Sequence, residues 1–321
     1  MTQFEPRSDQ NALVAPAIVR GLLLLLAPPC VAALALAPAS PAGTALRLLA
    51  EIALIPGFLA IAGRLAAPWI AAGAWARLPH RLAPAGLCGL FAALAIALPA
   101  LLSGQDWRHA IDLAQPTLLI IVLPLLYAPV ARALRGSQVA SLALAAAAHV
   151  VGVIFVQPAL VNFMFFVAGM MLFERRALFE TIASDEPELA IASAPFVTVL
   201  AIAVSIRFAQ TGQAASLAAL GPIALALGLA TGPALLAGAA ALRETRAGDG
   251  LARLGRTAPA VAVLWIPLFS LLIAAANRGM APSLASALLM AISSLLIVSL
   301  LADAAFDAAE RSGIRRFLAQ S

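Results

Sequence analysis

The sequence predicts an all-α fold, a polytopic transmembrane helical bundle of about ten spans with both termini cytoplasmic. Three observations carry this. Of 321 residues, 63% are hydrophobic and 11% charged, far below the roughly 25% charged share of soluble domains. Apolar runs of the length a bilayer demands, about 20 residues, recur along the whole chain. Arginines gather in alternate connections, as the positive-inside rule requires. Such a chain has no room for a large soluble domain. Its net charge of +5, carried by 20 Arg and no Lys, bears on how the loops meet anionic lipid. Membrane lipid is therefore an expected partner and nucleic acid is not.

Residues 1–17 read as a polar cytoplasmic segment containing Arg7. No small-residue cleavage site closes a short apolar stretch there, so Ile18 onward reads as a membrane helix and not a removed signal peptide. The membrane domain, 18–302, divides into apolar segments 18–38, 45–67, 83–103, 112–131, 138–156, 159–173, 189–207, 214–241, 258–276 and 282–302. In the first, Pro28-Pro29 removes two backbone donors and predicts a kink or an interruption. Only Gln157-Pro158 separates the fifth from the sixth, and Gly221-Pro222 and Gly232-Pro233 break the long eighth. The acidic stretch Glu180, Asp185, Glu186 and Glu188 reads as a solvated cytoplasmic loop. Residues 303–321, with Arg311, Arg315 and Arg316 against Phe306, Ile314, Phe317 and Leu318, read as a cytoplasmic amphipathic tail.

With the N-terminus inside, the cytoplasmic side holds Arg7, Arg77, Arg81, Arg132, Arg135, Arg175, Arg176, Arg243, Arg246, Arg253, Arg256, Arg311, Arg315 and Arg316. The outer side holds only Arg108, Arg207 and Arg278. The two halves do not repeat their Gly/Pro breaks or charges, which argues against an inverted-repeat carrier.

Charge inside a bilayer costs several kcal/mol unless paired or hydrated, so intramembrane ions are the first candidates for function. Arg47 and Glu51 stand four residues apart on one helix face, and Arg64 follows toward the inner end. These three are candidate substrate-binding residues; the plainer reading is an ion pair near the outer interface with Arg64 snorkelling to headgroups. Arg20 opens the first span, as a site residue or as a cytoplasmic anchor. His149 lies within the fifth span, where an imidazole needs a partner; it is a candidate proton carrier or a satisfied interhelical hydrogen bonder. His80, His109 and His149 do not share a metal-ligand spacing, and Cys30 and Cys88 make neither a metal site nor a disulfide framework. No bound metal or cofactor is expected, and no phosphate loop or nucleophile elbow is present.

Several stretches, in order, resemble the acyltransferase-3 family of ten-span bacterial membrane O-acyltransferases, especially its glucan-succinylating branch. They are Arg20-Gly21, the run from Ile55-Pro56-Gly57 to Gly63, Leu123-Pro124-Leu125-Leu126-Tyr127, the run from Asn162-Phe163 to Gly169, Leu254-Gly255-Arg256-Thr257 and Gly313-Ile314-Arg315-Arg316-Phe317-Leu318. The resemblance implies a multi-pass protein of the bacterial inner membrane. It would take an acyl group from a cytoplasmic acyl-CoA-type donor and pass it to a sugar hydroxyl of a glycan acceptor. It makes Arg20 a catalytic residue and places Asn162, where the family has an Arg, among the substrate-binding positions. The departures fall at polar positions. Counting from Arg20, the family's first-span His is here Val31, its second-span Ser is Ala62, and the Trp expected before Leu123-Pro124 is Leu118. Valine has no proton to exchange, so a base would have to come from elsewhere, with His149 or Glu51 the candidates. A non-catalytic relative that binds glycan, lipid or a partner is the alternative. A small-solute transporter, for which only the broken eighth span speaks, is the remaining one.

Overall fold

The computed structural model describes residues 7–35, 41–71, 108–134, 136–155, 157–210, 217–277 and 283–311. Among the described residues the protein is nearly all helical and has no strand. Ala and Leu dominate the segments and are strong helix formers. In hydrocarbon, moreover, a helix is one of the few ways to satisfy every backbone group. The elements are α1 (Arg7–Ala35), α2 (Pro41–Leu49), a π-turn (Ala50–Leu54), α3 (Ile55–Ala71), α4 (Arg108–Ala133), α5 (Gln138–Phe155) and α6 (Pro158–Glu174). They continue with α7 (Arg176–Asp185), α8 (Pro187–Gln210), α9 (Leu217–Leu242), α10 (Arg246–Asn277) and α11 (Leu284–Arg311).

Among the described residues, five stretches are long and apolar enough to cross a membrane: Ala42–Arg64, Gln138–Phe155, Pro187–Gln210, Pro222–Leu242 and Leu284–Ala305. Their outward faces carry large apolar side chains, among them Phe155 on α5, Phe196 on α8 and Leu300 on α11, each about two-thirds exposed at 68–70%. A water-soluble monomer does not present apolar surface on that scale. The apolar spans mark a membrane protein, and α5, α8 and α11 leave broad apolar faces exposed.

Every expected apolar segment except 83–103, which lies outside the described residues, falls on a helix. Several boundaries differ. Helix α1 begins at Arg7 and runs without interruption through Pro28 and Pro29 to Ala35. Packing holds it: Leu23, Leu24 and Ala27 before the prolines and Val31 and Ala32 after them enter the same buried cluster. Helix α9 likewise passes Pro222 and Pro233 unbroken. The acidic stretch is not a loop, because α7 ends at Asp185 and α8 begins at Pro187; Asp185, Glu186 and Glu188 are exposed. Helix α11 carries its last span on to Arg311, past the expected start of a separate tail.

The π-turn has a local cause. Pro56 has no N–H, and its ring crowds the carbonyl four residues earlier. The chain widens one turn so that Ile55 N–H reaches Ala50 O, five residues back, and Pro41–Ala71 continues as one helical path.

Three buried clusters form the interior. The first joins α1, α9, α10 and α11 through Ile18, Leu23, Leu236, Val261, Trp265 and Ala291. The second joins α3 to α6 through Leu59, Leu123, Tyr127, Ala145, Phe165 and Phe166. The third sets α2 and the π-turn against α8 and α9 through Leu48, Ile52, Ala201 and Leu227.

Glycines bring backbones together at several helix contacts, two of them between helices distant in sequence. A Cβ on Gly21 would strike the Leu251 carbonyl and one on Gly255 the Ala17 carbonyl, so α1 and α10 touch there. A Cβ on Gly63 would strike the Phe166 carbonyl and one on Gly169 the Ala60 carbonyl, which fixes α3 on α6. Membrane helices associate largely through such close packing of small residues.

Neighbouring contacts set helix directions. Gly228 of α9 lies beside Phe165 and Pro56, and Gly232 beside Leu172 and Ala60, so α3, α6 and α9 run the same way. A tight turn with Gly136 at φ 72 joins α4 to α5, and across it the Tyr127 hydroxyl donates to Ser141 Oγ at 2.6 Å. Gln157 folds α6 back on α5. Ser193 of α8 donates to the Ala234 carbonyl of α9 at 3.1 Å. Trp265 Nε1 of α10 donates to Ala291 O and Ser294 Oγ of α11, both at 3.0 Å, and Arg253 pairs with Asp303 at 2.8 Å between the same two helices.

Candidate functional site

Arg20 lies on α1 and is half-buried. Its Nε is enclosed and has no hydrogen-bond partner. The guanidinium therefore turns into the bundle to the depth of its Nε, yet no polar group of another helix meets that atom. Because α1 is unbroken, helical geometry extends from Arg20 to Val31: eleven residues make about three turns and about 16 Å of rise. Val31 thus shares the face of Arg20. It is buried at 8% exposure within the first cluster, next to Ala27 and Ala32.

Arg47 and Glu51 form an ion pair with Nε to Oε1 at 3.6 Å and side chains 23% and 18% exposed. That separation exceeds a hydrogen bond, and Arg47 Nε is buried with no hydrogen-bond partner. The pair bridges α2 and the π-turn. Arg64 is buried near the middle of α3 and is engaged by another group.

His149 is buried on α5 and its Nδ1 lies 2.9 Å from Val161 O of α6. A carbonyl only accepts, so Nδ1 carries the proton and Nε2 keeps the lone pair in the neutral ring. Phe165 meets the ring edge-on, with centroids 6.3 Å apart. Asn162, which follows Val161 on α6, is buried at 4% exposure, and its Oδ1 has no hydrogen-bond partner.

These placements divide the candidate residues. Arg20 and Val31 belong to the α1–α10–α11 side, whereas His149, Asn162 and Arg64 belong to the α3–α6 side. Arg47 and Glu51 sit at the start of the path that separates the two. Among the described residues, no three His, Cys, Asp or Glu side chains gather as a metal site would need.

A small cavity is walled by Leu23 and Leu26 of α1, Ala53 of the π-turn, Thr198 of α8, and Thr231 and Leu235 of α9. It encloses about 30 Å³. Neither Arg20 nor His149 lines it. Sequence reasoning did not select Thr198 or Thr231; two threonines within apolar spans are too ordinary to signal a shared hollow.

No family model, no curated protein and no solved structure matches this chain.

Proposed function

We propose that the protein is a multi-pass inner-membrane protein of acyltransferase-3-like build that does not itself catalyse acyl transfer. The observation that carries this is Val31. An unbroken α1 keeps it in register with Arg20, and an apolar cluster surrounds it. The position at which the family places its base therefore holds a side chain that cannot take a proton, among neighbours that cannot either. General-base assistance contributes about 10²–10⁴ in rate. On this reading the fold serves to bind lipid, a glycan or a partner.

The count of ten spans, both ends cytoplasmic, rests on the apolar segments of the sequence and on the gathering of arginines in alternate connections.

Active O-acyl transfer is the second reading, and one observation favours it. With Nδ1 tied to Val161 O, His149 offers Nε2 as a base. Arg20, an acyl-CoA-type donor and a glycan hydroxyl would all have to meet it there. The location of Arg20 and His149 in different clusters speaks against that meeting. The unbroken α9 also removes the feature that spoke for a small-solute transporter.

The test is acyl transfer by purified protein in lipid, with acyl-CoA as donor and a glucan as acceptor. No turnover above background is expected, from the parent or from Val31→His, whose imidazole would have only apolar neighbours. Robust turnover by the parent, abolished in His149→Ala, overturns the non-catalytic reading.

A further inference from the structure

The small cavity forms a slot between α1 and α8, with the π-turn and α9 as its floor. Its volume, about 30 Å³, exceeds the roughly 10–15 Å³ that one water needs. Water nevertheless suits it poorly. The two hydroxyls that reach it spend their protons within their own helices: Thr198 Oγ1 donates to Ala194 O and Thr231 Oγ1 to Leu227 O, each at 2.8 Å. The other walls are apolar, and a hollow of that character stays dry, because a buried water needs two to four polar partners.

Depth and surroundings point to a different occupant. Thr198 stands near the middle of α8 and Thr231 near the middle of α9, so in a bilayer the slot lies close to the midplane. Lipid chain ends collect at that depth. On either side of the slot, Leu25 and Leu26 of α1 and Phe196, Val199 and Leu200 of α8 are exposed. The slot continues the surface that faces hydrocarbon.

We propose that this slot receives the methyl end of an acyl chain from a bilayer phospholipid. The proposal rests on the membrane placement of α1, α8 and α9 and is independent of any acyl-transfer chemistry. A tapering hydrocarbon end fills the volume, satisfies the apolar walls and requires nothing of the two threonines. It also closes the side of the bundle where α1 and α8 stand apart.

The experiment uses the full chain in nanodiscs of phosphatidylcholine that carries a photoactivatable diazirine at the chain terminus, with labelled residues mapped by mass spectrometry. Labels are expected at Ala53 and Val197 in the slot as well as at Phe196 and Val199 on the outer face. Ala53→Phe, which fills the slot, should abolish slot labelling and leave the outer face labelled. The same lipid with its diazirine next to the ester should label helix ends and spare the slot in the unmodified protein, which tests the inference even where Ala53→Phe does not fold. Labelling of the outer face alone overturns the proposal, as does slot labelling that Ala53→Phe leaves unchanged. A chain labelled nowhere instead refutes the membrane placement on which the proposal rests.

Discussion

Substitution of Gly63 by alanine tests whether the α3–α6 crossing has the geometry described. The added methyl would sit on the Phe166 carbonyl and within 3.0 Å of Met170 N. Both obstacles are backbone, so no side chain can rotate away and the helices must separate. Overpacking a well-filled interior costs about 1–3 kcal/mol, and a backbone clash belongs at the upper end. Alanine returns about 0.5–1 kcal/mol through helix propensity. The net expectation is a loss of about 2 kcal/mol for Gly63→Ala, and a similar loss for Gly169→Ala, whose methyl would meet the Ala60 carbonyl on the same crossing. The double variant should lose less than both together, because helices already parted for one methyl accommodate the next more easily. Gly250→Ala is the control: a Cβ there meets nothing within 4 Å, so it should gain about 0.5–1 kcal/mol. Reversible unfolding in mixed lipid–detergent micelles titrated with SDS, followed by circular dichroism, measures all four. A Gly63→Ala protein as stable as its parent, or a Gly250→Ala protein equally weakened, would refute the crossing.

Other substitutions probe the polar groups in the same unfolding assay. Asn162→Leu removes a buried oxygen that lacks a partner and should be neutral or stabilising by about 1 kcal/mol; a clear loss would mean that the amide holds a bond essential to the fold. Trp265→Phe gives up the donor to Ala291 O and Ser294 Oγ and should cost about 1–2 kcal/mol, with no loss contradicting that pair of bonds. His149→Leu forfeits one interhelical bond, for which about 0.6 kcal/mol is typical in membrane helices. For topology, reporter fusions after Ser321 and within 104–109 should give opposite signals, and matching signals would remove the ten-span count.

The fold was legible where the sequence repeats one strong signal. Long Ala/Leu segments flanked by arginines located the apolar helices of the described residues but not the short α7, which carries the acidic stretch, because burial in lipid leaves a polar-poor segment few alternatives. The interruptions expected at the prolines did not form. Proline costs a helix dearly in water, yet Pro28, Pro29, Pro222 and Pro233 lie within helices, and at Pro28-Pro29 the residues on both sides are gripped by neighbours. That grip is non-local and leaves no mark in the sequence. Pro56 did change the backbone, by widening the turn before it. Glycines quoted for a family resemblance, Gly21, Gly63, Gly169 and Gly255, turned out to be the contact points of two helix crossings. Their spacing is explained by packing before any chemistry is invoked. The Arg47–Glu51 pair was legible because both partners lie one turn apart on one element. The partner of His149 was not, because a backbone carbonyl on another helix has no residue type to announce it.

The contact of Gly21 with Gly255 and Leu251 has a consequence for biosynthesis. The principal partner of α1 is α10, which a ribosome reaches more than two hundred residues after it has finished α1. At about 5–20 residues per second, the first helix waits roughly 10–50 s with its glycine face unfilled. During that interval it depends on lipid, on the insertion machinery or on α2 as a stand-in neighbour. A nascent chain arrested before Arg246 should therefore leave α1 unusually open to proteases and to insertase crosslinking, and release of the remaining residues should close it in a single late step. Quality control of this protein would then read its very first helix to learn whether the last two had been made.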